Sequence, residues 1–201
     1  MDPYVYPGTH ILRNKFDIQD YARWKRIEGI ISSTKIIELR ESASHTIKKF
    51  DFHTLKTIHR YLFEDIYTWA GSIRTVPLAK DTTMFCPPEF IPSYADEIFS
   101  KLRNHNFFRN YPISDLAIGL GQLFCDINML HPFREGNGRT QREFLYLLSA
   151  TLGYHLDLNL VDKDMYYFAS QRSPVSAQPI SYERFFFICI VIYQIMYCDY
   201  S

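Results

Sequence analysis

Residues 131–142 read HPFREGNGRTQR. A chain with only eight glycines sets two of them, Gly136 and Gly138, either side of one asparagine, after a histidine and before two arginines. Upstream, Leu116, Leu120, Leu123, Ile127 and Leu130 recur at helical spacing from Ser114 onward. Downstream, a second helix is predicted over 139–152, stopping near Gly153 as its C-terminal cap. Pro132 ends the first helix, because it has no N–H and its ring clashes with a preceding carbonyl. The connection PFREGNG therefore lies at a helix N-terminus, where unpaired N–H groups and the positive end of the helix dipole favour phosphate. Glycine and asparagine tolerate left-handed backbone, and glycine lets an oxygen approach with no Cβ in the way. Successive N–H groups in such a turn form an anion nest. Arg139 and Arg142, three apart, share a helix face and add positive charge for more distal phosphates. Glu135 inside the nest would repel phosphate unless a cation lay between them, and Mg2+ held by one carboxylate plus phosphate oxygens is the usual solution. His131 stands at the mouth.

Working outward, the chain is mostly helical. Ile18, Ala22, Ile27 and Ile30/Ile31 form a loose apolar face near the start. Leu55, Ile58, Leu62 and Ile66 form a clearer one, with Asp51 placed to cap it. After Pro87 and Pro88, Ile91, Ala95, Ile98 and Leu102 line up again, and two further helices fit 162–172 and 181–197. The exception is SIRTVPLAKDTTMFCPP, with β-branched residues, a polar turn at Asp81-Thr82-Thr83 and a proline that would interrupt a central strand. It predicts a short exposed hairpin at about 73–87. The expected architecture is an all-α single domain over 1–201 carrying one small β-hairpin.

Composition narrows the function classes. The chain has 201 residues, 47% hydrophobic and 16% aromatic, enough for one buried core. Lys+Arg and Asp+Glu are both 22, so no basic excess marks general nucleic-acid or anionic-membrane binding, and any anion site is local. Four cysteines, Cys86, Cys125, Cys189 and Cys198, are scattered without metal-type spacing, which reads as reduced thiols in the cytoplasm. The N-terminus has no secretory pattern, and the apolar stretch 185–198 is too short for a membrane span.

The segment HPFREGNGR resembles the HxFx(D/E)GNGR motif of Fic-domain proteins residue for residue. TIHRYLFEDIYTWAGSIR resembles the family's segment before its flap, Lys80 and Phe85 match flap positions, and DPYVYPGTHILRNK resembles the N-terminus of bacterial Fic toxins and of Fic domains in secreted effectors. The resemblance implies a Fic-type helical fold and a protein adenylyltransferase that moves AMP from ATP to a hydroxyl of a target protein. It implies His131 as general base and Phe133 as the anchor of the loop. Glu135 would hold Mg2+ (or Mn2+), and Gly136, Asn137 and Gly138 would cradle phosphate. Arg139 and Arg142 would meet the β- and γ-phosphates, with Lys80 and Phe85 positioning the target. Other Fic-type transfers (UMP, phosphocholine or phosphate) stay open, as does a catalytically silent binding module. A phosphorylating branch carries lysine at the position of Gly138, and a DNA-binding helical regulator lacks a basic recognition helix here.

Many Fic enzymes are restrained by a helix bearing (S/T)xxxE(G/N), whose glutamate pairs with the second arginine. The nearest match is TKIIEL, with Thr34 and Glu38 in place but Leu39 where glycine or asparagine belongs. The expected restraint is therefore a small separate antitoxin. The expected setting is the bacterial cytoplasm, with delivery into a host cell open. The absence of a delivery domain within these residues favours a toxin over an effector.

Overall fold

Asp51 does what its position predicts. Its carboxylate accepts from the Thr54 N–H at 2.8 Å and starts α2 (Phe52–Phe63), whose Leu55, Ile58, His59, Leu62 and Phe63 are buried. The computed structural model describes residues 2–43, 47, 49–80, 83–156 and 158. The helices expected over 162–172 and 181–197 lie outside the described residues, as does most of the hairpin turn.

Before α2 comes α1 (Tyr21–Ala43), and after it the strands β1 (Ala79–Lys80) and β2 (Thr83–Met84). Then follow α3 (Ile91–Asn104), α4 (Ile113–Leu130) and α5 (Asn137–Thr151). The expected all-α architecture is present. α4 packs between α3 and α5, while α2 packs on α5 and α1. Every apolar position expected on α3 and α4 is buried: Ile91, Ala95, Ile98 and Leu102, then Leu116, Leu120, Leu123, Ile127 and Leu130. By length and composition α4 could cross a membrane, but these side chains face a protein core.

The first helix keeps only part of its expected face: Ile18 is buried and Ile27 and Ile31 pack against the core, but Ala22 and Ile30 do not. Its inward stripe is Trp24, Glu28, Ser32 and Leu39, while Ile30 is 61% exposed and Ala22 faces outward. A glutamate and a serine displace isoleucine inside because each has a polar partner there, without which burial would cost several kcal/mol. Further along, Arg40 grips the buried Glu143 of α5 with two bonds of 2.7 Å. That fork ties the first helix to the last described one.

The last helix starts two residues earlier than 139, at Asn137, with Gly136 as its left-handed N-cap. It ends as expected at Gly153 (φ +82), where the Tyr154 N–H reaches Ser149 O at 3.0 Å and the Gly153 N–H reaches Ala150 O at 3.1 Å. This pair of bonds satisfies carbonyls the helix end would leave open. The ribbon is shorter than 73–87, with Ala79 opposite Met84 and Lys80 opposite Thr83. Its legs are pinned instead to the end of α4: the Arg74 N–H donates to Pro132 O and the Cys86 N–H to Met129 O, both at 2.9 Å.

Replacing Asp51 by alanine removes the cap of a helix central to the core. The expected loss is about 1 kcal/mol, read as a lower urea midpoint at unchanged slope.

Candidate active site

The connection between α4 and α5 is built around one left-handed glycine. Gly136 has φ +80, and a Cβ there would sit 2.4 Å from the Phe63 ring. Both the conformation and the approach require glycine. Gly138, expected to share that role, lies in the first turn of α5 with no positive φ. Asn137 closes the loop: its Oδ1 accepts from the Phe133 N–H at 2.9 Å, and its Nδ2 donates to Phe133 O at 2.7 Å. Both ends of that amide therefore shape the loop itself. Phe133 is buried and stacks on His59 at 3.7 Å between centroids.

His59 is a site residue that sequence reading missed. The Gly71 N–H donates to its Nδ1 at 2.8 Å, so Nε2 carries the proton and donates to Glu135 O at 3.0 Å. Burial pushes this imidazole down to about 3, so it is neutral at ordinary pH. The available signal was a histidine among apolar neighbours on the buried face of α2.

His131 ends α4 in a left-handed conformation, φ 43 and ψ 56, a strained state for a residue with a Cβ. Its Nδ1 lies 3.2 Å from Asn128 O, and since a carbonyl only accepts, Nδ1 carries the proton and Nε2 is the acceptor. Phe85 roofs the ring, stacked at 3.7 Å and 12°. Burial pushes His131 down to about 4, with Arg74 and Lys80 acting the same way and the Asn128 bond and Glu135 opposing. The imidazole is a neutral base at pH 7.

Arg139 reaches across to α1, with 2.6 Å to Glu28 Oε1 and 2.8 Å to Ser32 Oγ, and it lies over the Phe63 ring. Glu135 Oε1 is 3.5 Å from the same guanidinium and accepts from the Gly136 N–H at 3.1 Å. Glu28 and Ser32, one turn apart, were also missed; a buried i, i+4 polar pair on α1 was their trace. Arg142 is half-buried on α5 and has a partner of its own. Lys80 is exposed on β1, whereas Phe85 is buried on His131. Arg134 pairs with Asp2 at 2.7 Å, so the N-terminal segment braces the loop. Beside Glu135 opens a cavity of about 250 Å³, lined in part by His10, Tyr21, Trp24 and Lys25.

Two histidines held neutral make the fold sensitive to acid. Their folded values, about 3 and about 4, lie below the unfolded 6.5. Their contribution is complete above pH 6.5 and is lost as pH falls toward 4 and then 3, because the unfolded chain binds the protons first. Each proton costs about 1.4 kcal/mol per pH unit, so urea unfolding at pH 7 and pH 4.5 should differ by several kcal/mol. Phe85→Ala should lift the His131 value from about 4 toward 6.5 in an NMR titration of the imidazole, and soften that dependence.

Comparison with known proteins places this chain in a family. The Fic/DOC family model matches residues 49–149. Protein adenylyltransferase VbhT of Bartonella schoenbuchensis is 39% identical over 163 residues, 81% of this chain and 34% of that protein, so the chain spans about a third of its length. The probable protein adenylyltransferase y4lH of Sinorhizobium fredii is 36% identical over 174 residues, 86% of this chain and 88% of that protein. Among solved structures, the N-terminal Fic domain of an effector from Bartonella sp. AR 15-3 superposes with TM-score 0.86 at 24% identity, covering 98% of this chain and 95% of that one. A Bartonella quintana Fic domain, solved with bound ADP, gives 0.84 at 24% identity, covering 92% and 93%. With the family model over half its length and a relative of its own size at more than a third identity, this chain belongs to the Fic/DOC family.

Proposed function

We propose that the chain is a protein adenylyltransferase that transfers AMP from ATP to a hydroxyl side chain of a target protein, acting as one Fic domain over 1–201. Relatives named for that activity at 31–39% identity support the reading. The observation that carries it is a neutral imidazole at the end of α4, with Nε2 as acceptor, beside the open N-terminus of α5. A base next to an anion nest suits attack on a phosphate.

Nε2 of His131 takes the proton of the target hydroxyl as its oxygen bonds to the α-phosphorus. The bond from that phosphorus to the bridging oxygen breaks, and pyrophosphate leaves with the electron pair. N–H groups around Gly136 and Gly138 receive phosphate oxygens, and Asn137 keeps the loop in shape for them. Arg139 serves the β-phosphate and Arg142 the γ-phosphate. Two carboxylates, Glu28 and Glu135, already flank Arg139, so the site is too negative to take a triphosphate without a cation. Glu135, half-buried and the one carboxylate in the loop itself, suits a metal that draws its other ligands from phosphate and water. Among the described residues no group of three or more His, Cys, Asp or Glu could hold one unaided. Mg2+ (or Mn2+) there would neutralise charge on the leaving pyrophosphate.

The ribbon takes an extended segment of the target by main-chain pairing, with Lys80 at its edge and Phe85 at its root. Restraint comes from a small antitoxin carrying the (S/T)xxxE(G/N) helix. Glu38 is a poor candidate for it: its side chain is 49% exposed and accepts from Tyr61 Oη, about 15 Å along α1 from Glu28 by helix rise. The setting is a bacterial toxin–antitoxin pair in the cytoplasm, with delivery to a host as the effector alternative.

Incubating lysate with the chain and labelled ATP, then identifying labelled proteins by mass spectrometry, tests this directly. Label from the α-phosphate is expected on the target; γ-label would mean phosphorylation. His131→Ala should reduce labelling by roughly 10²–10⁴-fold with ATP affinity retained. Chelator should stop labelling, and added Mg2+ should restore it in the native chain but not in Glu135→Ala. Glu38→Gly should leave autolabelling unchanged; a large rise would place the inhibitor within the chain.

A further inference from the structure

Arg74 is the most buried charged side chain among the described residues, 1% exposed, and its guanidinium bonds to main-chain carbonyls. Its Nε donates to His131 O at 2.7 Å, Nη1 to Val76 O at 2.7 Å and Nη2 to Cys86 O at 2.5 Å. Val76 and Cys86 stand on opposite legs of the ribbon, and His131 is the base. One guanidinium thus joins both legs to the carbonyl of the catalytic histidine.

The choice of residue follows from the geometry. His131 ends α4 in a left-handed turn, so its carbonyl lies outside the helical bonding pattern, at the negative end of the dipole. A buried cation belongs there. The planar fork presents donors in different directions at once, whereas lysine offers three from a single nitrogen. Burying a charge is costly unless it is hydrogen-bonded, and here each of the three guanidinium nitrogens donates to a carbonyl. The main-chain bonds to Pro132 and Met129 fix where the legs begin. The guanidinium fixes how far apart they stand and where His131 lies between them.

We propose that Arg74 is a positioning residue, setting the register of the ribbon, and of any segment paired to it, against Nε2 of His131. It rests on the adenylyltransferase reading, but its test does not depend on activity alone. Phe85 precedes Cys86, so losing the fork should also loosen the roof over the imidazole. The charged groups facing that ring are Arg74, Lys80 and Glu135.

The experiment compares the native chain with Arg74→Lys, which keeps the charge and loses the fork, and Arg74→Gln, which keeps one donor group. Folding is followed by circular dichroism, ATP affinity by calorimetry, His131 by NMR titration of its imidazole, and transfer by labelling kinetics. Both variants should fold and bind ATP within about threefold of native. Transfer kcat should drop roughly 10–100-fold, as small misplacements of reacting groups do, and the imidazole should titrate nearer its free value. Unchanged kcat and titration in folded variants would overturn the proposal. So would parallel loss of ATP binding, or failure of both variants to fold, since a positioning role leaves the core of α2, α4 and α5 intact. If the native chain transfers nothing, the functional reading fails, while ATP affinity and the imidazole titration still decide the role of Arg74.

Discussion

The site depends on an absent side chain. The ring of Phe63 occupies the volume where Gly136 would carry a Cβ, which lets α2 and α5 approach at the active loop. That closeness brings His59 within reach of Glu135 O and lets Phe133 stack on the same imidazole. It also sets Phe63 beneath Arg139, whose guanidinium then extends to α1. With any other residue at 136, the left-handed turn would be strained and the ring displaced, and each of these contacts would shift together.

Polar groups inside this core are arranged around the loop. His59 holds it from below as a neutral donor, Glu28 and Ser32 hold Arg139, and Arg74 ties the hairpin to His131. Arg40 and Glu143 close the far side. Each is bonded to a specific atom, which is the condition under which buried polarity can be tolerated. Such contacts add less to stability than an equal area of apolar packing. They instead restrict the loop to one geometry.

The fold was legible where periodicity was strong. α3 and α4 bury the side chains their spacing indicates, and Asp51 and Gly153 cap as their positions suggest. The face of α1 was legible only in part, because its buried stripe also contains Glu28 and Ser32, and a hydrophobic pattern has no means of expecting a glutamate whose partner lies 111 residues away. The break between two helices from His131 to Arg142 was legible, since glycine and proline act locally there. His59 and Arg74 were not. Their roles rest on carbonyl groups of distant backbone, and backbone has no signature in the sequence. Lys80 and Phe85 were grouped as flap residues, yet alternation at the ribbon's root leaves one exposed and turns the other onto His131.

The ion pair between Asp2 and Arg134 spans 132 residues, and those of Arg40 with Glu143 and Arg139 with Glu28 span 103 and 111. Helical proteins generally fold fast because their contacts are local, but contacts this distant carry a loop-closure cost before they form. During synthesis α1 emerges first and waits for α5, with Glu28 and Ser32 facing solvent until Arg139 arrives. The helices can form early, but the contacts between α1 and α5 wait until α5 is present. A ribosome-bound chain that has not yet released α5 therefore lacks the guanidinium that holds Glu28 and Ser32, so the order of synthesis delays closure of this candidate site.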